Sequence, residues 1–149
     1  MSLTKLRAAV VFALIAGACA ATGAAAQEPS FLPQQHQVGD VRYRSGGIGL
    51  DESLAMREAA KSTPLTLLFA TRIEAETVYT SAARVTIRDG KGKTVLEIEP
   101  DGPLLLLDLA PGKYTVEAAY RQQVQTRKVA IEANKHKQLV FVWKEQETD

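Results

Sequence analysis

From residue 65 onward, apolar and polar side chains alternate with a period of two, and turn-forming residues break the alternation at short intervals. Residues 65–71 are β-branched and aromatic enough to be a strand. Over 84–88 the alternation is clean, with Val85 and Ile87 turned to one face. Asp89-Gly-Lys-Gly92 follows as a hairpin signal, because Asp-Gly accepts the positive φ of tight primed turns. A return strand over 93–98 ends at Pro100-Asp-Gly-Pro103, and 104–109 forms the next. Ala110-Pro-Gly-Lys113 is another turn, with proline presetting φ and glycine taking the left-handed position.

In the strand after it, Tyr114, Val116, Ala118 and Tyr120 share one face, and Thr115, Glu117 and Arg121 the other. Residues 124–131 pair next, with Val129 and Ile131 inward and Arg127 and Lys128 toward the surface. After the polar loop 133–136, a last strand over 138–143 puts Leu139, Phe141 and Trp143 on one face. Short strands at regular spacing, joined by Gly and Pro turns, predict an antiparallel sandwich of about seven strands.

The periodicity is helical only before this stretch. Asp51 is placed to cap a helix that runs to Lys61 and stops before Pro64. Leu54, Ala55 and Ala59 give it a thin apolar face, and Asp51, Glu52 and Lys61 suit its dipole. Gly46-Gly-Ile-Gly49 reads as a flexible lead into that cap; it lacks the Lys and Ser/Thr of a phosphate-binding loop. Residues 27–45, with two prolines and several glutamines, read as a loosely docked arm, although Tyr43 can start a short strand.

The first 26 residues change the picture of where the chain works. Lys5 and Arg7 precede an uncharged apolar run, followed by the small residues Ala24, Ala25 and Ala26 before Gln27. That order is the secretory signature, with cleavage expected between Ala26 and Gln27 and Ala24 as the second small recognition residue. The expected organisation is a leader over 1–26, an arm over 27–45, a Gly-rich lead and helix over 46–64, a sandwich over 65–144, and a polar tail over 145–149. The apolar run is too short in its strongly apolar part for a spanning helix of about 20 residues, so no transmembrane span is expected in the mature chain.

Cys19 is the only cysteine of the 149 residues and leaves with the leader. The mature chain is therefore expected to lack thiol chemistry and disulfides. The alternative is a lipid-anchored envelope protein, in which Leu14-Ile-Ala-Gly-Ala-Cys19 acts as an imperfect lipoprotein box. Loss of Lys5 and Arg7 leaves a nearly neutral chain, without the broad basic field that nucleic-acid binding requires.

Leu109, Pro111, Gly112, Tyr114 and Val116 form a Leu-x-Pro-Gly-x-Tyr-x-Val element. With Val85-Thr-Ile-Arg-Asp-Gly-Lys-Gly-Lys-Thr-Val95 and Asp101-Gly-Pro103, it resembles the carboxypeptidase regulatory-like domain over roughly 65–144. The Gly46–Glu52 segment is similar to the leader of small exported bacterial proteins that carry it. The resemblance implies a transthyretin-like, prealbumin-type sandwich that accompanies other domains and is not itself a peptidase. It implies that the tyrosine ring is buried at the start of its strand, and it transfers no catalytic residue.

Candidate chemistry is thin. His36 and His136 are the only histidines, and neither has carboxylates at metal-ligand spacing. Glu97, Glu99, Asp101, Asp108 and Glu117 read as outward strand positions, and Asp89 and Asp101 as turn residues. Ser53, Ser62 and Ser81 lack the setting of a hydrolase nucleophile. Arg121, Arg127, Lys128, Lys135 and Lys137 gather positive charge near the last hairpin, beside Tyr120, where a polyanion surface is conceivable.

No catalytic, metal or cofactor residues are assigned. The expectation is a monomeric, non-catalytic periplasmic or secreted module that binds or braces an envelope protein or glycan, through its sheet edges or its turn-bearing ends. A small-ligand carrier or enzyme, using a pocket between helix and sheet, is the further alternative.

Overall fold

The computed structural model describes residues 30–82 and 84–145. Ala24, Ala26, Gln27 and Cys19, and with them the questions of cleavage and lipidation, lie outside the described residues. Ten strands and one helix follow in the order β1 (His36–Val38), β2 (Val41–Gly46), α1 (Leu50–Ala60), β3 (Leu65–Ile73), β4 (Glu76–Tyr79), β5 (Arg84–Asp89), β6 (Thr94–Ile98), β7 (Leu104–Asp108), β8 (Gly112–Tyr120), β9 (Gln123–Ile131) and β10 (Lys137–Lys144). They form a β-sandwich. One sheet has six strands in the order β1-β2-β7-β3-β10, with β4 also on β3, and the other has four in the order β6-β5-β8-β9.

The period-two faces meet between the sheets. Leu65, Leu67, Phe69, Leu105, Leu107, Phe141 and Trp143 of the larger sheet pack on Val85, Ile87, Leu96, Val116, Ala118 and Ile131 of the smaller. Fully burying one such side chain contributes about 1.5–3 kcal/mol, so this layer is the main source of stability. Trp143 lies at one end of it, its ring 5.5 Å from Tyr120 and 6.1 Å from both Phe69 and Phe141.

The larger sheet is apolar on its second face as well. Leu104 and Leu106 of β7 project away from the sandwich and are covered by Met56 of α1, with Leu32, Ala59, Ala60 and Leu68 around them. This explains why 104–107 is a continuous leucine run: a strand covered on both faces does not alternate. Met56 is the buried residue of the helix, whereas Leu54, expected on its apolar face, is 54% exposed.

Other differences from the sequence expectations have local causes. The helix cap is Gly49, at φ 86°, and Asp51 lies in the first turn without capping it. Glu52 reaches back instead, its Oε1 accepting from the Gly47 N–H at 2.7 Å. Much of the expected arm is sheet. Val41, Tyr43 and Ser45 turn inward while Arg42 and Arg44 turn out, and β2 pairs with β7 from Arg42↔Asp108 to Gly46↔Leu104.

β4 has no counterpart in the sequence reading, because its turn runs through Glu74, at φ 52°, with no glycine or asparagine to mark it. β10 pairs in parallel with β3, from Lys137↔Leu65 to Lys144↔Arg72. The chain therefore changes sheets between β9 and β10, while the other pairings are antiparallel.

Candidate functional site

The change of sheet brings many turns to one end of the sandwich. At this end lie the α1–β3 connection, the β5–β6 hairpin, the β7–β8 turn and the β9–β10 loop. Each carries lysine: Lys61 after α1, Lys91 and Lys93 in the hairpin, Lys113 at the start of β8, Lys135 in the last loop and Lys137 at the start of β10. Lys128 sits three residues from the end of β9. Among the described residues only one lysine, Lys144, lies at the opposite end.

That opposite end is acidic. Asp51 and Glu52 open the helix there, Glu74 and Glu76 flank the β3–β4 turn, and Glu97, Glu99 and Asp101 lead from β6 toward β7. Arg72, Arg84 and Arg121 also lie there, and Asp40, Asp89, Asp108 and Glu132 lie at the lysine end, so the near-zero net charge of the sequence hides a partial segregation along the strand axis.

The hairpin at the lysine end is firmly built. Asp89 Oδ1 accepts from the main-chain N–H of Lys91 at 2.9 Å and of Lys93 at 3.0 Å, so the turn role expected for Asp89 is its role here. At Asp101 it is the main-chain N–H that is held, donating to Ser45 Oγ at 2.6 Å. The Leu109–Val116 element forms the neighbouring turn. Leu109 and Val116 are buried, and Pro111 and Gly112 lead into β8. The Tyr114 hydroxyl donates to the Ala110 carbonyl at 2.7 Å, tying the strand start to the turn before it. The ring is half-buried rather than enclosed. Its burial first, and the nearby Asp89 carboxylate second, raise the phenol above its usual pKa.

Between the hairpin and β9, across the start of β8, lies a groove of about 500 Å³. Arg88, Lys113 and Lys128 supply its positive charge against the one carboxylate of Asp89, which the Lys91 and Lys93 N–H groups already engage; Thr115 and Tyr114 are its hydroxyl-bearing residues, and Gly90 and Gly92 a stretch without side chains. Arg88, Thr115 and Lys128 form one cross-strand row, since Thr115 pairs with Arg88 on β5 and with Lys128 on β9. Arg88 is held loosely, 3.4 Å from Glu117. Among the described residues the lysine ion pairs at this end engage Lys61 with Glu58 and Lys135 with Glu132, and leave Lys91, Lys93, Lys113 and Lys128 without an acidic partner.

The positive cluster read from the last hairpin divides. Lys128, Lys135 and Lys137 belong to the lysine end. Arg121 lies at the other end, paired with Glu145 and over the Tyr120 ring. Arg127 is exposed, as expected, but it stands on the core-facing side of β9: its register partner is buried Val116, and its guanidinium lies 5.1 Å from the centre of the Phe141 ring. Period-two counting from Val129 and Ile131 would have placed it there.

The space between helix and sheet exists as a cleft of about 340 Å³. Its charged groups are engaged with the protein: Arg42 pairs with Asp108 at 2.5 Å, and Arg44 donates to the Pro33 carbonyl at 2.5 Å and to Gln35 at 3.2 Å. Arg44 fastens the segment before β1 to the sheet, and Arg42 ties β2 to β7.

Glu97 faces Arg84 at 3.4 Å, and Glu117 faces Arg88. His36 stacks on Tyr43, and His136 Nδ1 lies 3.1 Å from the Thr63 carbonyl. Ser53 lies within α1, and Ser62 donates to the Ala59 carbonyl at its end. Among the described residues no three His, Cys, Asp or Glu side chains gather as a metal site, and no helix is long and apolar enough to cross a membrane.

No protein-family model matches the chain, and a search of the curated proteins finds no match either.

Proposed function

We propose that the chain is a non-catalytic, exported β-sandwich module that binds or braces another component of the cell envelope through the lysine-bearing end of the sandwich. The observation that carries this reading is the gathering of lysines from four separate connections at one end of a nearly neutral domain. Like charges placed together repel and destabilise the fold slightly, so their collection favours a role in contact over a role in stability. Loops carried on a rigid two-sheet scaffold are suited to that role, because the scaffold fixes their spacing.

The secretory pattern of residues 1–26 supports a periplasmic or secreted location. The Leu-x-Pro-Gly-x-Tyr-x-Val element supports reading the sandwich as a carboxypeptidase regulatory-like, prealbumin-type module. In such a module the binding partner, not an internal active site, sets the biological role.

The test is sedimentation of purified residues 27–149 with washed bacterial envelope material. The chain is expected in the pellet, and Lys91→Gln/Lys93→Gln/Lys113→Gln/Lys128→Gln is expected in the supernatant. Equal retention of both proteins, or retention of neither, would overturn the reading.

A further inference from the structure

We infer that the groove between the β5–β6 hairpin and β9, across the start of β8, is a binding site for an acidic polysaccharide, a chain of sugars bearing carboxylates. This rests on the reading of the lysine end as the contact surface and names what that surface takes.

The geometry of the charges supports a chain-like ligand. Arg88, Thr115 and Lys128 stand in one row across three strands. Neighbouring strands are about 4.8 Å apart, so the two cations of the row are separated by about twice that spacing. Lys113 lies two residues before Thr115 on the same face of β8 and extends the positive surface toward the turn. Anions repeated along a flexible polymer can meet such charges one after another. A single small anion would leave most of them unused.

The residue types agree. Lysine is a mobile point charge that tolerates variable anion geometry, whereas tight recognition of one fixed oxyanion favours the planar fork of arginine. Arg88 is the one arginine in the groove, and Glu117 already holds it at 3.4 Å. A sugar chain can lie along an open groove of about 500 Å³ lined partly by Gly90, Gly92 and Ala130, while a flat bilayer meets only the projecting turns. Thr115 and the surrounding main chain supply polar groups for sugar hydroxyls.

The experiment is calorimetric titration of residues 27–149 with oligogalacturonate, with neutral dextran and phosphatidylglycerol vesicles as comparison arms. Oligogalacturonate should bind and dextran should not, with log affinity falling linearly against log salt. Lys113→Gln/Lys128→Gln should lose about tenfold in affinity, and the salt slope should shrink by about one to two units. Lys113→Arg/Lys128→Arg should retain binding, and Lys144→Gln at the far end should bind like the wild type. Thermal melting confirms that each variant is folded.

Equal binding of dextran, preference for the vesicles, or an unchanged affinity in Lys113→Gln/Lys128→Gln would overturn the assignment. If envelope material retains the chain through its lysines but oligogalacturonate neither binds nor competes, the polysaccharide assignment falls and the contact end stands. If the lysine variants leave envelope retention unchanged, the underlying reading falls with it.

Discussion

The side-chain amide of Gln125, on the edge strand β9 of one sheet, donates to the main-chain carbonyl of Val142, on the edge strand β10 of the other, at 2.8 Å. Two residues away, Gln123 donates in the same way to the Lys144 carbonyl at 2.8 Å. Both glutamines occupy positions whose partners on β8, Ala118 and Tyr120, pack in the core, and Arg127 continues the series over Phe141. The open flank of the sandwich is therefore closed by polar side chains that reach from one sheet to the backbone of the other. An unpaired edge is an invitation to pair with another chain, and this arrangement occupies part of it.

Replacing Gln123 and Gln125 together by alanine should lower stability by about 1–3 kcal/mol, at about 0.5–1.5 kcal/mol for each hydrogen bond lost. It should also promote association through β10. Urea denaturation reads the first effect and light scattering at rising protein concentration the second. A double variant that stays monomeric at every concentration would show that the glutamines do not guard the edge.

Gly102→Ala should be damaging although it adds one methyl group in a turn, because Gly102 is buried. A Cβ at residue 102 would lie 2.3 Å from the Gly46 carbonyl oxygen and 2.5 Å from its carbon, so the main chain of β2 would have to move. Overpacking of this kind costs about 1–3 kcal/mol. The Asp101 N–H bond to Ser45 Oγ, next to the contact, should loosen with it. The loss should appear as a lower urea midpoint and faster amide exchange at Asp101.

Trp143 is 1% exposed, and among the described residues its Nε1 is the buried side-chain polar atom without a hydrogen-bond partner. Trp143→Phe removes that unsatisfied donor while keeping most of the ring packing, so its net cost should stay below about 1.5 kcal/mol. Trp143→Ala should cost about 3–5 kcal/mol. Denaturant titrations of the two variants should separate them clearly.

Two groups contribute to the pH dependence of stability at its edges. Burial and Asp89 raise the Tyr114 phenol, so the folded state keeps its proton after the unfolded chain has lost it. That contribution is complete below the ordinary phenol pKa and is lost as pH climbs through the raised value. At Glu132 a hydrogen bond from Lys135, then the charges of Lys135 and Lys137, lower the carboxyl pKa. Its contribution is complete above the ordinary glutamate value and is lost as pH falls through the lowered one. Denaturation midpoints across pH should decline at both ends. Tyr114→Phe should flatten the alkaline decline, and Glu132→Gln should weaken the acid one.

The sandwich was readable because Val85, Ile87, Val116, Ala118, Leu139, Phe141 and Trp143 keep strict alternation between marked turns. Alternation assigns a face but not a sheet, so it could not show that β10 leaves β9 to lie parallel to β3. Nor could it show that 104–107 is covered on both sides. The segment before the helix looked weak because Arg42 and Arg44 dominate it, although Val41, Tyr43 and Ser45 carry the inward pattern of β2. The lysine end was the least legible feature. Its residues come from four connections spread between positions 61 and 137, and only the fold brings those connections together. Net charge, being a sum, removes that information.

The most direct test of the proposed contact surface is an amide chemical-shift map of labelled residues 27–149 during addition of solubilised envelope material. The shifts are expected to concentrate at Gly90, Gly92, Lys113, Thr115, Lys128 and Ala130, and to fade as salt is raised. Shifts centred on the acidic end, around Ile48, Leu50 and Glu97, would contradict the account.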